Sequence, residues 1–267
     1  MQGAIPRDIA DKQIITSQIQ AHSYARLYFR PKSPTQYHVE GIRKPSECYR
    51  NDPDTHAPIL VIMVFGAEEI LTTPAVCFSD GNMQSNSTNQ YSTDGEFQNL
   101  PFDKIYHVGP VDPESDVIRC RCAEVLVPNR LMLDGRLQAV LCRSPAERAT
   151  LLHMLGDAAG KWSRIIRVYT EPGIFENRYA YVDSVAVSGE GVNFKTHARY
   201  DAQPVRVDVA ISPANGSWKR SGFLDAARAG STVIWNTRLE PGSYLVEIEV
   251  DRCLAYRAVS LVEELPF

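Results

Sequence analysis

The feature that most constrains the fold is a series of short segments in the C-terminal part of the chain, in which apolar and polar residues largely alternate. Such alternation is typical of strands with one buried face, and turns rich in Pro, Gly, Asn and Ser separate some of the segments. The segments are 181–187, 205–211, 232–235, 244–250 and 256–262. They predict a β-sandwich-like accessory domain over residues 161–267. Because this region has no catalytic pattern, we expect it to bind a partner or to pack on its neighbour.

The N-terminal part of the chain mixes short strands with short helices. A continuous apolar run over residues 58–65 predicts a buried strand, and a helix over residues 145–155 has Ser144 as its expected N-cap and Gly156 at its end. Further strands are predicted at 25–29, 76–78 and 137–142, further short helices at 66–71, 101–106 and near Tyr37, a loop at 7–20, and a long polar loop that ends at Gly95. We therefore predict an α+β fold, with a mixed β core and short helices in a first domain over residues 1–160.

Composition and missing motifs exclude several classes of protein. Hydrophobic residues make up 44% of the 267 residues, which is enough for a core of useful size. No apolar stretch approaches the roughly 20 residues that cross a bilayer, and the N-terminus has no signal-peptide core, so we expect a cytoplasmic protein without membrane contact. Glycine-rich nucleotide loops and the motifs of zinc proteases and serine hydrolases are missing. Dispersed histidines and scattered cysteines predict buried free thiols and no metal site.

A local patch of cations and aromatic rings lies between residues 22 and 50. The cations are His22, Arg26, Arg30, Lys32, His38, Arg43, Lys44 and Arg50, and the rings between them are Tyr24, Tyr28, Phe29, Tyr37 and Tyr49. A net charge of −4 argues against extensive contacts with duplex DNA. The local pattern suits a single strand, because rings stack on bases and cations contact phosphates. A half-buried sheet surface would have the same composition, so both interpretations stay open.

One carboxylate stands in an otherwise β-favouring segment, Arg-Cys-Arg-Cys-Ala-Glu-Val-Leu-Val-Pro over residues 119–128. The segment predicts a strand that ends at Pro128. Glutamate is rarely buried without a partner, so Glu124 is either an exposed residue on the polar face of the strand or a catalytic acid that faces a site. In a regular strand, Arg119 and Arg121 point away from Glu124.

Several motifs follow one another in a distinctive order. Leu-Tyr-Phe-Arg-Pro-Lys-Ser-Pro-Thr-Gln-Tyr over residues 27–37 is followed by the apolar run, by Phe-Ser-Asp-Gly-Asn over residues 78–82, and by Cys-Ala-Glu-Val-Leu-Val-Pro over residues 122–128. This order, over roughly residues 5–155, resembles the DarT family of toxin-type enzymes, which use NAD to ADP-ribosylate bases in single-stranded DNA. The resemblance implies an ADP-ribosyltransferase-like fold for the first domain, NAD as co-substrate, single-stranded DNA as partner and no metal. It also implies a toxin or phage-defence role, with an antitoxin protein as a further partner.

The resemblance assigns roles to particular residues. Glu124 matches the catalytic glutamate, which holds a ribose hydroxyl of NAD, assists proton removal from the acceptor base, and stabilises the positive charge that develops as nicotinamide leaves. The residues assigned to cofactor binding are Tyr28, Phe29 and Tyr37. The residues assigned to nucleic-acid binding are Arg26, Arg30, Lys32, Arg119 and Arg121. The acidic loop over residues 110–117 corresponds to the substrate-recognition loop of the family.

Two features of the family have no counterpart in the expected places. Family members begin with a strand that carries His-x-Thr and forms one wall of the NAD site, and no such motif occurs near the N-terminus of this sequence. Their catalytic arginine precedes the Tyr-Phe motif, but residues 14–18 contain no arginine. Arg7, Arg26 and Arg30 are the alternatives for that role. A second hypothesis is therefore a truncated or catalytically degenerate relative that acts as a nucleic-acid-binding or protein-binding module.

Overall fold

A computed structural model describes residues 23–83, 85–112 and 114–264 of the chain. Within this part, residues 23–38 and 63–139 form one compact unit, which we call the glutamate unit because it contains Glu124. Residues 39–62 and 140–264 form a second compact unit, which we call the sandwich unit. Neither unit is one continuous segment. The limits of these units differ from the predicted domain boundary between residues 160 and 161. Whether the two predicted domains fold independently stays a prediction.

The glutamate unit is built on a four-stranded antiparallel sheet with the strand order β1-β5-β3-β4. Its strands are β1 (Tyr24–Tyr28), β3 (Cys77–Ser79), β4 (Gln90–Tyr91) and β5 (Glu124–Pro128). Its short helices are α1 (Pro34–Val39), α2 (Ala67–Leu71), α3 (Asp94–Gln98), α4 (Phe102–Ile105) and α5 (Val117–Cys120). The chain enters this unit through β2 (Val61–Phe65) and leaves it through β6 (Leu137–Cys142).

Strand β5 lies inside the sheet and is buried on both faces. Val125 and Val127 belong to one apolar cluster, whereas Leu126 packs in another on the opposite face. Strand β1 pairs with β5 along its whole length and places Tyr28 opposite Glu124. Because a one-residue slip would move every side chain of β5 to the other face, packing fixes this register and therefore the position of Glu124.

The predicted strand over residues 119–128 is wrong in its first half, because β5 begins only at Glu124. Helix α5 and a turn precede it, joined by backbone hydrogen bonds of 2.9–3.0 Å between residues three or four apart. Strand β1 ends at Tyr28, opposite Glu124, so the residues before Glu124 have no strand beside them. Their backbone groups form helical hydrogen bonds instead. The expected alternation that turned Arg119 and Arg121 away from Glu124 therefore does not exist.

The sandwich unit contains two antiparallel sheets. The four-stranded sheet is formed by β10 (Val205–Pro213), β11 (Arg220–Ala227), β13 (Gly242–Val250) and β14 (Cys253–Val262), in the order β11-β10-β13-β14. The three-stranded sheet is formed by β8 (Val182–Ser188), β9 (Gly191–Thr196) and β12 (Thr232–Asn236), in the order β12-β9-β8. The further elements of this unit are strand β7 (Ile166–Val168), helices α6 (Pro145–Leu155) and α7 (Ala159–Trp162), and 3₁₀ turns at Pro45–Glu47, Tyr49–Asn51 and Gly156–Ala158. One core cluster joins residues of both sheets, such as Phe194 and Ile248, to Ile42 and Ala146 from earlier parts of the chain.

The α+β fold class is confirmed, and most predicted elements occur within a few residues of their expected bounds. The five C-terminal strands are all present, as is α6 with its N-cap Ser144. Strands β7, β9 and β11 were not predicted, and the supposed loop that ends at Gly95 contains β4 and the start of α3. The predicted loop at residues 7–20 lies outside the described residues. None of the helices in the described part of the chain is long and apolar enough to span a membrane.

Candidate active site

Glu124 is the first residue of β5, and only 1% of its side chain is exposed. The interpretation of Glu124 as an exposed residue on a polar strand face is therefore wrong. Its backbone N–H donates to Oγ of Ser79 at 3.1 Å, which fixes the start of the strand. Burial of an ionised carboxylate is costly unless charged or polar groups surround it, so its partners determine what it can do.

Arg26 provides the opposite charge, from the neighbouring strand β1. Its Nη2 lies 2.6 Å from Oε1 of Glu124, and its Nε donates to Oε2 at 3.2 Å. Two parallel hydrogen bonds of this kind orient a carboxylate as well as neutralise it. The two residues are 98 positions apart in the sequence. Of the two candidate arginines within the described residues, Arg26 and Arg30, the structure places Arg26 on Glu124.

Arg30, the other candidate within the described residues, has a different position. Arg30 donates to the backbone carbonyl oxygens of Ile105 and His107, at 3.2 and 2.7 Å, and thus ties β1 to the end of α4. Arg7 lies outside the described residues. Arg30 therefore has a structural contact that accounts for its position.

The segment after β3 closes over the ion pair. The backbone N–H of Met83 donates to Oε2 of Glu124 at 3.1 Å, and Oδ1 of Asn82 accepts from Nη2 of Arg26 at 2.9 Å. Sequence reasoning gave no role to Ser79, Asn82 or Met83. The available signal was the Phe-Ser-Asp-Gly-Asn motif, which contributed to the resemblance but did not indicate which of its groups reaches Glu124.

Arg119, assigned to nucleic-acid binding, is held by two acids. Its Nε lies 2.7 Å from Oδ1 of Asp116, and its Nη1 lies 2.8 Å from Oδ1 of Asp80. The hydrogen bond from Arg119 lowers the pKa of Asp116 to about 2, so this acid is ionised at neutral pH. With two carboxylates beside it, Arg119 contributes little net positive charge to the surface.

Lys32 and Arg121 are the remaining cations from the predicted set. Nη2 of Arg121 donates to the backbone carbonyl oxygen of Lys32 at 3.5 Å, so the two residues lie next to each other in the glutamate unit. Lys32 has a backbone φ of 55°, which bends the Arg-Pro-Lys-Ser-Pro segment sharply at this position. A nucleic-acid role for Lys32 and Arg121 stays a prediction.

The three aromatic residues assigned to cofactor binding have different surroundings. The hydroxyl of Tyr28 donates to Oγ1 of Thr35 at 2.8 Å, and burial, assisted by the charge of Glu124, raises the pKa of Tyr28 to about 12. The ring of Phe29 packs against two other phenylalanine rings at 6.2 Å and belongs to an aromatic cluster. Tyr37 is 40% exposed. Tyr28 is still 37% exposed, so part of its side chain, like that of Tyr37, reaches the surface. A ligand role for each of the three residues stays a prediction.

The thiol of Cys122, two residues before Glu124, is protonated at neutral pH. Burial, together with the charge of Glu124, raises the pKa of Cys122 to about 12. All six cysteines are free, and four of them are buried, which confirms the prediction of free thiols. Within the described ranges, no group of three or more His, Cys, Asp or Glu side chains is arranged to hold a metal ion.

The order of motifs that ends at Glu124 can be compared with known protein families. The profile of a family described as "ssDNA thymidine ADP-ribosyltransferase, DarT" matches residues 5–175, which is well over half of the chain. The chain belongs to the DarT family. The resemblance that the motifs indicated is thereby confirmed. No curated protein matches the sequence.

Solved structures of DarT proteins resemble part of this fold at low sequence identity. Thermus sp. 2.9 DarT in complex with ADP-ribosylated ssDNA is 18% identical, with coverage of 62% of this chain and 79% of that chain and a TM-score of 0.47. The same protein in complex with NAD+ is 16% identical, with coverage of 56% and 71% and a TM-score of 0.42. Thermosipho africanus DarTG in complex with ADP-ribose is 18% identical, with coverage of 61% and 41% and a TM-score of 0.40. Family membership rests on the profile match.

Proposed function

We propose that this protein transfers ADP-ribose from NAD to thymidine in single-stranded DNA, with Glu124 as the catalytic residue and Arg26 as the residue that orients it. The observation that carries this proposal is the two-bond contact between Arg26 and the buried carboxylate of Glu124. It occurs in a chain of the family described as ssDNA thymidine ADP-ribosyltransferases. The family supports thymidine in single-stranded DNA as the target, and the geometry supports the roles of Glu124 and Arg26.

The chemistry requires a fixed negative charge beside the ribose of NAD. Transfer breaks the glycosidic bond between nicotinamide and ribose, and the bonding electrons leave with the nicotinamide. Positive charge then develops on the ribose ring, and a preorganised carboxylate stabilises it. Because Glu124 is shielded from water, its interaction with that charge is stronger than it would be at an exposed position.

Thymidine needs a group that accepts a proton. Of its two ring nitrogens, N1 is bonded to the sugar, so N3 is the ring nitrogen that can attack the ribose carbon. When the new N–C bond forms, the N3 proton must leave, and the carboxylate of Glu124 is the acceptor that we assign. Arg26 orients the carboxylate for this step through its two hydrogen bonds.

Tyr28 and Tyr37 are our assignments for contacts with NAD. Tyr28 lies opposite Glu124 across the strand pair, which places both side chains on the same face of the sheet. With a pKa of about 12, its hydroxyl stays protonated and can donate a hydrogen bond throughout the neutral range. Tyr37 offers an exposed ring on α1.

Lys32 and Arg121 are our assignments for contacts with the DNA backbone. They adjoin each other through one hydrogen bond of 3.5 Å, whereas Arg30 donates to two carbonyl oxygens and Arg119 is held by two carboxylates. A contact with few phosphates gives a shallow dependence of DNA affinity on salt. An antitoxin partner is also part of this proposal, and co-purification with the product of an adjacent gene tests it.

A transfer assay with labelled NAD and single-stranded oligonucleotides tests the proposed function. We expect label on an oligonucleotide that contains thymidine and none on one that lacks it. Glu124→Gln keeps the shape but removes the negative charge and should lower transfer by about 10²-fold or more. Arg26→Lys keeps the charge but loses the two-bond geometry, and should give an intermediate loss.

The matched control is Glu68→Gln, an exposed position at the start of α2 in the same unit, which should transfer as the wild type does. Equal labelling by wild type and Glu124→Gln would refute the catalytic assignment. If neither protein labels DNA while both bind it, the alternative of a non-catalytic nucleic-acid-binding module holds instead. Calorimetric titration with NAD then separates a lost site from a site that lacks its acceptor.

A further inference from the structure

The carboxylate of Asp80 lies at the base of the loop between β3 and β4. Its Oδ1 accepts from the backbone N–H of Asn89 at 2.9 Å, and its Oδ2 accepts from Nδ2 of Asn89 at 3.1 Å and from the hydroxyl of Tyr91 at 3.4 Å. Only 6% of Asp80 is exposed. One side chain thus closes the two ends of this loop onto each other.

Arg119 joins the closed loop to helix α5. Besides the ion pair with the Asp80 side chain, its Nη1 donates to the Asp80 backbone carbonyl oxygen at 3.1 Å, and its other nitrogens contact Asp116. Gly81 makes this approach feasible, because a Cβ atom there would lie 3.0 Å from Cγ of Arg119. Helix α5 and one turn lead into Glu124, so Arg119 connects the base of the loop to the segment that precedes β5.

The closed loop carries the two groups that contact the ion pair of the site. Asn82 reaches Arg26, and the backbone N–H of Met83 reaches Glu124. Both lie within three residues of Asp80. If the base of the loop opens, these two groups lose the constraint that holds them against the carboxylate.

We propose that Asp80 is a positioning residue for Glu124, which acts by closing the loop that delivers Asn82 and the Met83 amide to the ion pair. Asp80 does not touch substrate in this scheme. The expected effect of Asp80 on turnover rests on the proposed function, because it requires Glu124 to be catalytic. The expected effect of Asp80 on the loop does not depend on the proposed function.

The charge state of Asp80 agrees with this role. Burial by itself raises the pKa of Asp80, but the hydrogen bonds from Asn89 and the ion pair with Arg119 outweigh that effect and lower it. The carboxylate is therefore ionised and acceptor-only, as its three donors and one cation require.

The sharpest test uses Asn89→Asp, because Asn89 is exposed and the new side chain has nearly the same shape. The change replaces a donor by a carboxylate oxygen that faces Asp80, and two negative charges at hydrogen-bond distance repel each other. A small misplacement of a catalytic group can cost about 10²-fold in rate, so we expect kcat for transfer to fall by about 10-fold to 100-fold with little change in KM for NAD.

The matched control is Gln90→Glu, which adds the same charge at the next residue, the exposed first position of β4. We expect wild-type kcat for this variant. A wild-type kcat for Asn89→Asp, in a protein whose Glu124→Gln variant is inactive, overturns the positioning role and leaves the proposed function intact.

Amide hydrogen exchange at Met83 gives a readout that does not depend on transfer. In Asn89→Asp the Met83 amide should exchange at least about 10-fold faster than in the wild type or in Gln90→Glu, because its hydrogen bond to Glu124 opens more often. Unchanged exchange at Met83 overturns the proposal. If the wild type itself transfers nothing, the proposed function fails, and the exchange rates still decide whether Asp80 holds the loop.

Discussion

At the scale of single residues, burial changes the acidity of two thiols enough to affect stability. Burial raises the pKa of Cys122 and of Cys142 to about 12. In the unfolded chain a cysteine ionises near pH 8.5, so between about pH 9 and pH 12 the folded state holds protons that the unfolded state releases. The contribution is complete below that range and is lost as the pH rises through it. We expect the free energy of unfolding, measured by urea denaturation, to fall between about pH 9 and pH 11.

Replacement of one buried thiol measures how much that thiol contributes to the decrease in unfolding free energy at high pH. Cys142→Ala removes a fully buried thiol and should reduce the slope of unfolding free energy against pH. Identical slopes for Cys142→Ala and the wild type would contradict the assignment. Because alanine leaves a small cavity, only the slope is compared, and the absolute stability is not.

The sequence alone identified Glu124 as a member of the candidate ion pair, but it did not identify Arg26 as the partner. Glu124 could be found because its motif is local, with the carboxylate inside a short apolar run. Arg26 could not be separated from Arg7 and Arg30, because its contact with Glu124 depends on the register in which β1 pairs with β5, 98 residues away. The same holds for the Met83 amide, since a backbone group leaves no sequence signature.

At the scale of elements, helix α6 shows what local signals predict well. Ser144 and Gly156 bound the helix as expected, and Oγ of Ser144 accepts from the Glu147 amide at 3.1 Å. The same hydroxyl donates to the Val182 carbonyl oxygen at 2.7 Å and is fully buried. Ser144→Ala therefore removes a cap together with a buried hydrogen bond to Val182, and should cost about 2 kcal/mol, at the upper end for such caps.

The matched control for this prediction is the cap of helix α3. Thr93 accepts from the Glu96 amide at an exposed position, so Thr93→Ala should cost less, about 0.5–1 kcal/mol. Chemical denaturation of both variants measures the difference. A cost for Ser144→Ala no larger than that for Thr93→Ala would show that the Val182 contact contributes nothing.

Elements whose limits depend on a neighbour were predicted less well than α6. Residues 119–123 have the composition of a strand, yet they lie beyond the end of β1 and are helical or in a turn. Strand β11 is an edge strand exposed along nearly its whole length, so it lacks the alternation by which the other sandwich strands were recognised. In both cases the pairing partner, and not the propensity of the segment, decides the conformation.

At the scale of the whole molecule, the sandwich unit is held together by a buried charge network from separate parts of the chain. The guanidinium of Arg143 contacts Glu147, with Nε at 2.9 Å from Oε1, and donates from Nη2 to the Pro58 carbonyl oxygen at 2.7 Å. Its Nη1 lies 3.8 Å from Glu40, which accepts from the Asn177 amide at 2.8 Å. Removal of one member of such a network leaves a buried charge uncompensated, at a cost of about 3–5 kcal/mol.

This network bears directly on the predicted boundary between residues 160 and 161. A fragment of residues 161–267 contains every strand of the two sheets. It lacks strand β6, which pairs with β7, and it also lacks α6, Arg143, Glu147 and the core residue Ile42. We therefore expect the fragment to show no cooperative thermal transition by circular dichroism, whereas a protein of residues 39–267 should show one. A fragment that unfolds cooperatively at the temperature of the full chain would support the sequence boundary, because its core would then need nothing from residues 39–62 or 140–160.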